Sequence, residues 1–261
     1  MEGVTAVRVG RGLLAGVLAL QFAVPLALLL VLSFSLRWYY PDLLPGEWSG
    51  QGWAPLLAPE SRGLEALWGS TWVALTSAVV GTVLAFPAAR ALARQPGSRV
   101  RAFLLAPLLL PAFAAVMGVG VVFVRLGLAD TGAGVVLAHL IPVTPYATAL
   151  LTATFERHDG RLEEQARSLG ARPGQVLWRV TLPAVQPGLL ACLAVCFLVS
   201  WNEYLLTLLV GGGAVLTLPV LLVASAQGGD TALTAATALV TVLPPLLLFA
   251  LLGTRFRVVR A

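Results

Sequence analysis

Apolar residues run through this chain in long, uninterrupted blocks. Residues 12–36, 66–89, 102–124, 131–155 and 231–254 contain no Asp, Glu, Lys or Arg, and a sixth block, 187–210, is broken only by Glu203. Each is long enough for a helix to cross the hydrocarbon core of a bilayer, which takes about 20 residues. Strands cannot replace these helices. A lone strand leaves its backbone groups unpaired in lipid, and the period-2 alternation of a membrane barrel is missing. The pattern predicts an all-α membrane protein with about six transmembrane helices, one membrane domain over residues 1–261. A shorter apolar piece, Leu216–Ser225, lies between glycine groups at 211–213 and 228–229. It is too short to cross and reads as an interfacial or re-entrant segment.

Two segments between the blocks are long enough to carry structure of their own. Arg37–Leu67 is rich in Pro, Gly and Trp and reads as an ordered loop lying on the membrane surface. Residues 156–186 carry a helical pattern. Leu162, Ala166 and Leu169 recur at helical spacing as an apolar stripe, with Glu163, Glu164 and Arg167 on the polar side. Gly170 follows as a stop, and Pro173 prevents direct continuation. Val176, Leu177 and Val180 form a second apolar face, and Leu182-Pro183 is expected to end it before the fifth span. A short amphipathic helix pinned between two spans suits a lever that a partner pushes; the alternative is a helix lying in the lipid interface.

Composition agrees with the pattern: 58% of residues are hydrophobic and 11% charged, against about 25% charged in a soluble domain. The formal net charge is +5, but its placement argues against nucleic acid. With six spans and the N-terminus inside, the inner segments hold fourteen of the arginines, and the outer ones hold Arg37, Arg62 and Arg125. That asymmetry follows the positive-inside rule, so both termini are expected in the cytoplasm. The first block is about twice the length of a signal-peptide core, with no cleavage site after it, and reads as a retained helix. The chain has no lysine. A P-loop needs one, so ATP chemistry must come from another chain. Cys192 and Cys196, one helical turn apart, have too few companions for a metal or disulfide framework and read as packing residues.

Glu203 is the only acid inside a predicted span. Charges there are costly and usually face a cavity or a partner. Counting along the block 187–210 puts it in the outer half, where Trp201, Asn202, Glu203 and Tyr204 are candidates to line a translocation path. An acid with aromatic neighbours suits a cationic cargo. His139 reads as a hydrogen-bonded packing residue, and His158 as a loop residue without evident partners. Pro111, Pro142, Pro145, Pro244 and Pro245 interrupt spans and can kink them.

The inner segment runs Glu164-Gln165-Ala166, then Gly170, nine residues, then Val180-Thr181-Leu182-Pro183. It resembles the EAA loop of ABC importer permeases, E-A-A-x-x-x-G, nine residues, I-x-L-P. The spacing matches throughout, with Gln165 in place of alanine and Val180 in place of isoleucine. The six spans, the loop between the fourth and fifth, and Ser200-Trp201-Asn202-Glu203-Tyr204 are similar to the spermidine/putrescine-type branch, from about Leu67 onward.

The resemblance implies a type I (MetI-like) permease of the bacterial inner membrane that performs no bond chemistry. Glu164, Gln165, Ala166 and Gly170 would contact a cytoplasmic ATPase dimer, and Leu169, Leu182 and Pro183 would set the geometry of the lever. It implies a second permease, expected to be a different chain, and an extracytoplasmic solute-binding protein. This chain would bind no cofactor, with ATP and magnesium held by the ATPase. Polyamines lead as cargo on the resemblance; sugars, thiamine, iron and oxyanions are the others. An ion-driven secondary transporter is the alternative, against which stand the small number of spans and the lack of inverted halves. An intramembrane hydrolase would need a Ser–His or two-carboxylate constellation within the spans.

Overall fold

The computed structural model describes residues 2–38, 41–95, 99–109 and 112–258. In chain order the elements are α1 (Glu2–Ser33), β1 (Ser35–Arg37), β2 (Glu47–Trp48), α2 (Ala54–Leu57), α3 (Arg62–Ala93), α4 (Arg99–Leu105), a 3-10 turn at Ala106–Leu109, and α5 (Ala112–Arg125). Next come α6 (Gly132–Glu156), α7 (Arg161–Ser168), α8 (Pro173–Val176), a π turn at Leu177–Thr181, α9 (Leu182–Trp201), α10 (Leu205–Gly211), α11 (Leu218–Gln227) and α12 (Thr231–Val258). Among the described residues, five helical stretches are long and apolar enough to cross a membrane: Gly12–Ser33, Arg62–Ala93, Gly132–Glu156, Pro173–Trp201 and Thr231–Leu248.

The apolar blocks and the helices differ in four places. The first helix stops at Ser33, whose hydroxyl donates to the Leu30 carbonyl, and Ser35–Arg37 turns into strand. The block 102–124 is divided among α4, the 3-10 turn and the 14-residue α5; Pro111, expected to interrupt it, lies outside the described residues. The fifth helix starts far earlier than 187 because α8, the π turn and α9 run on without a stop. It then ends at Trp201, and α10 resumes only at Leu205.

Two compact units can be distinguished. One takes the chain up to Ala66 together with Leu221–Leu247. Within it the surface segment is ordered as a small antiparallel hairpin pairing Ser35 with Trp48. The Ser49 N–H donates to the Phe34 carbonyl at 2.7 Å, and the Phe34 and Trp53 rings lie 5.8 Å apart. Gly52 sits so close to Ala232 that a side chain there would overlap it. The helix from Gly12 to Ser33 turns Leu14, Val17 and Phe22 outward, as a lipid-facing helix does.

The larger unit contains Leu67–Val220 and has a core of small and β-branched residues. Ala78, Ala85 and Ala89 of α3 meet Val143, Ala147 and Leu151 of α6 and Val185, Cys192 and Cys196 of α9. A second cluster joins Val73, Val135, Ala138, Leu206 and Val210. Lipid tails are as apolar as leucine, so such helices associate by close packing and interhelical hydrogen bonds. Gly81 faces Val143 and Gly188 faces Thr154, each without room for a Cβ. Both cysteines are buried and free, with their Sγ atoms 3.8 and 3.9 Å from the Ala147 and Val143 carbonyls. At the entrance to α11, the Leu218 N–H donates to Ser70 Oγ at 2.7 Å, and Leu216 and Leu218 are buried. The apolar piece Leu216–Ser225 is therefore a short helix whose first turn is seated against α3.

Candidate functional site

α7 has only eight residues, too few to hold a helix in water by itself, so its place depends on what grips it. Its C-terminus is closed by a Schellman arrangement. The Gly170 N–H bonds the Arg167 carbonyl at 2.9 Å, and the Ala171 N–H bonds the Ala166 carbonyl at 3.0 Å. This needs the left-handed φ of +84° at Gly170, which a residue with a Cβ reaches only at a cost. The chain restarts at Pro173, and the Arg172 N–H donates to Gln175 Oε1 at 2.8 Å.

The grip is Glu163, on the polar side of the helical pattern. It is 5% exposed. Arg90 Nη2, near the end of α3, donates to its Oε2 at 2.5 Å, and Arg167 Nη2 reaches the same oxygen at 3.3 Å. Arg94 stands 3.8 Å away. The Thr181 hydroxyl, at the last residue of the π turn, donates to Oε1 at 2.7 Å. His158 Nε2 lies 3.8 Å from the same oxygen, so this loop histidine does have a neighbour. Burial by itself pushes the Glu163 carboxyl up. The hydrogen bonds from Thr181 and Arg90 and the charges of Arg90 and Arg167 outweigh it and hold the group below its ordinary value of 4.5. One carboxylate thus ties α7 to the end of α3 and to the base of the long fifth helix.

Burying Glu163 turns the other face of α7 outward. Leu162 is 53% exposed and Leu169 88%, with Ala166 half-buried between them. The apolar stripe is therefore presented rather than packed away, and Glu164, Gln165 and Gly170 are exposed with it. Leu182 is half-buried and Pro183 exposed. They do not end the helix, as their sequence suggests, but lie within it. Pro183 lacks an N–H, and its ring needs room at the carbonyl four residues back. The π turn just before it, where the Leu182 N–H bonds the Leu177 carbonyl, widens the helix there.

The second group of candidates marks the break in the fifth helix. Trp201 is buried and stacked on Phe197, with ring centroids 5.4 Å apart. Asn202 is exposed, and its Nδ2 donates to the Leu198 carbonyl at 2.8 Å. Glu203 and Tyr204 are half-buried. Glu203 does not sit in a continuous span. Its Oε1 accepts the Leu206 N–H at 3.1 Å and so caps the start of α10. His139 of α6 bridges the break, its Nδ1 2.7 Å from Ser200 Oγ and its Nε2 2.8 Å from Thr207 Oγ1. Ser200 and His139 do meet, but both ring nitrogens are engaged by buried hydroxyls, which makes the pair a clasp rather than a nucleophile and base.

The sequence pattern did not single out Arg90, Thr181 or the burial of Glu163. The available signals were the Glu163-Glu164 doublet, whose two side chains point about 100° apart on a helix, and a lone hydroxyl, Thr181, in a largely apolar run. No cluster of metal-ligating side chains occurs among the described residues.

Comparison with known proteins follows the same lines. The profile of the family "Binding-protein-dependent transport system inner membrane component" matches residues 77–259. The molybdenum transport system permease protein ModB of Mycobacterium tuberculosis is 35% identical over 185 residues, 64% of this chain and 69% of that protein. The putrescine transport system permease protein PotI of Escherichia coli is 30% identical over 163 residues, 60% of this chain and 58% of that protein. Among solved structures, a bacterial ABC transporter involved in the import of the acidic polysaccharide alginate contains a chain that superposes with a TM-score of 0.75. The two are 19% identical, and the match covers 98% of each.

Proposed function

The chain belongs to the family of binding-protein-dependent transport system inner membrane components, and from that premise we propose that α7 docks a cytoplasmic ABC ATPase and passes its movement to the membrane helices through Glu163. The chain is a multi-pass inner-membrane protein and the translocation subunit of a binding-protein-dependent ABC importer. Such importers work with an ATPase, a partner permease and a binding protein. For this chain we assign the ATP and magnesium to a separate ATPase dimer, expect a non-identical second permease, and place both termini in the cytoplasm on the arginine asymmetry. The ion-driven alternative loses its ground with the family.

The outward apolar stripe of α7 carries this reading. Leu162 and Leu169 project from a helix whose Glu163 is buried on the other side, and such outward leucines in water are unfavourable unless a partner covers them. Glu164, Gln165, Ala166 and Gly170 lie on or beside that face and would form the contact. ATP-driven closure of the ATPases would pull α7 with them. Because Glu163 bonds both Arg90 and Thr181, the pull reaches α3 and the root of the fifth helix together. Leu169, Leu182 and Pro183 set the angles of that lever. Trp201, Asn202, Glu203 and Tyr204, at the break, would line the path.

The cargo is a small solute handed over by the binding protein. The putrescine relative supports a polyamine and the molybdenum relative an oxyanion. Glu203, with one oxygen engaged by the Leu206 N–H, gives less ground for a cation than a free carboxylate would. The test is affinity purification of the tagged chain in mild detergent beside a Glu164→Arg, Gly170→Trp double variant, with mass spectrometry of what comes along. The expected result is a P-loop ATPase bound to the original chain and lost from a variant that still inserts. An ATPase held equally by both would overturn the docking role. The co-purified binding protein then identifies the cargo by direct binding assays.

A further inference from the structure

Beside the Glu163 anchor lies an open cavity of about 420 Å³, walled by Arg90, Arg94 and Arg167 over a floor that includes Phe86, Pro87 and Leu177. We propose that it binds the head and upper chain of an anionic phospholipid. The charge does not balance locally. Three guanidiniums approach one carboxylate oxygen, at 2.5, 3.3 and 3.8 Å, while Thr181 occupies the other. Each guanidinium has five N–H donors, and one oxygen accepts few of them. The Arg94 and Arg167 side chains are 64% and 50% exposed and keep donors directed to solvent. A phosphate diester offers two unesterified oxygens, a two-pronged acceptor that such groups fit well.

The floor selects a lipid over a free anion. Along α3, Phe86 and Arg90 stand four residues apart, as do Pro87 and Ala91, and Arg94 follows one turn further on. The cavity wall thus changes from apolar to charged over eight residues, about 12 Å of helix. A free phosphate has no use for the lower part. A lipid lying along α3, with its phosphate at Arg94 and its glycerol and first methylenes on Phe86 and Leu177, uses all of it, as basic pockets at the cytoplasmic ends of membrane helices do. This assignment rests on the cytoplasmic placement of the α3 C-terminus proposed above.

The test is native mass spectrometry of the purified complex in detergent, titrated with phosphatidylglycerol or phosphatidylcholine. Phosphatidylglycerol is expected to bind the original protein more tightly. Arg94→Gln and Arg167→Gln should each weaken it about fivefold and together about 25-fold, with phosphatidylcholine unchanged. An Arg172→Gln, Arg179→Gln control, exposed and outside the cavity, should leave both lipids unaffected. Equal loss in the control, equal binding of phosphatidylcholine, or no loss in the double variant overturns the proposal. Displacement of the lipid by millimolar inorganic phosphate, which would make this a free-anion site, also overturns it. Sidedness is read separately, by labelling a Gln175→Cys variant with a membrane-impermeant maleimide in spheroplasts, so a failure of orientation is distinguished from a failure of lipid binding.

Discussion

Replacing Glu163 by glutamine keeps the shape of the side chain and removes its charge. The amide oxygen can still accept from Thr181, so that anchor survives. What is lost is the pairing with Arg90, whose side chain is 26% exposed against 6% for Glu163. Breaking a fully buried pair from one side costs about 3–5 kcal/mol, and a single hydrogen bond to a charged group contributes about 1.5–3 kcal/mol. Arg90 can regain some water, so the loss should lie near 2–3 kcal/mol. α7 has little else to hold it, and this loss appears as local opening rather than global unfolding. At about 1.4 kcal/mol per tenfold, the amides of 161–170 should exchange about 30- to 150-fold faster. The assay is hydrogen–deuterium exchange on the purified complex, with Glu164→Gln as the exposed neighbour whose change should leave exchange within about twofold. Less than about threefold acceleration in the Glu163 variant, or equal acceleration in both, would refute the anchor.

Three further outcomes are expected. The Glu163 carboxyl is held below its ordinary value of 4.5, so its contribution is complete above that pH and is lost as pH falls through the lower folded value; exchange of 161–170 should stay flat from pH 7 to 5 after correction for intrinsic rates, rise below, and lose this acid dependence in the glutamine variant. His139→Leu removes two interhelical hydrogen bonds, each contributing about 0.6 and at most about 1.7 kcal/mol in membrane proteins; unfolding in mixed micelles should show a loss of about 1–3 kcal/mol, and an unchanged value would remove the clasp. Gly188→Val drives a side chain into Thr154 and should destabilise by about 1–3 kcal/mol, part of it restored by adding Thr154→Ala; no recovery in the double variant would place the strain elsewhere.

The sequence made the blocks of apolar residues plain because lipid imposes a minimum length, and length survives without knowledge of partners. The spacing from Glu164 to Pro183 was equally legible, since it is purely local. Which face of α7 turns inward was not. Periodicity finds an apolar stripe but not its destination, and the usual rule that apolar residues go inside fails at Leu162 and Leu169, which stay exposed. The burial of Glu163 depended on Arg90, more than seventy positions away, and no local pattern reports such a pairing. The break at Asn202–Tyr204 lay hidden because Trp, Asn, Glu and Tyr between leucines read as a polar face. The capping bond from Leu206 to Glu203 and the His139 bridge are what allow the chain to unwind there.

The π turn at Leu177–Thr181 also changes how the fifth helix is phased. It adds one residue to a turn, and one residue in an α-helix corresponds to a rotation of about 100°. Val176, buried before the turn, and Cys192 and Cys196, which follow it and face α6, are therefore set on rows that a uniform helical wheel would misalign. Deleting a single residue within this turn would swing the whole membrane half of the helix by about a quarter of a revolution relative to α7. Chain length in this one turn, more than any side chain in it, sets the registration between α7 and the membrane core.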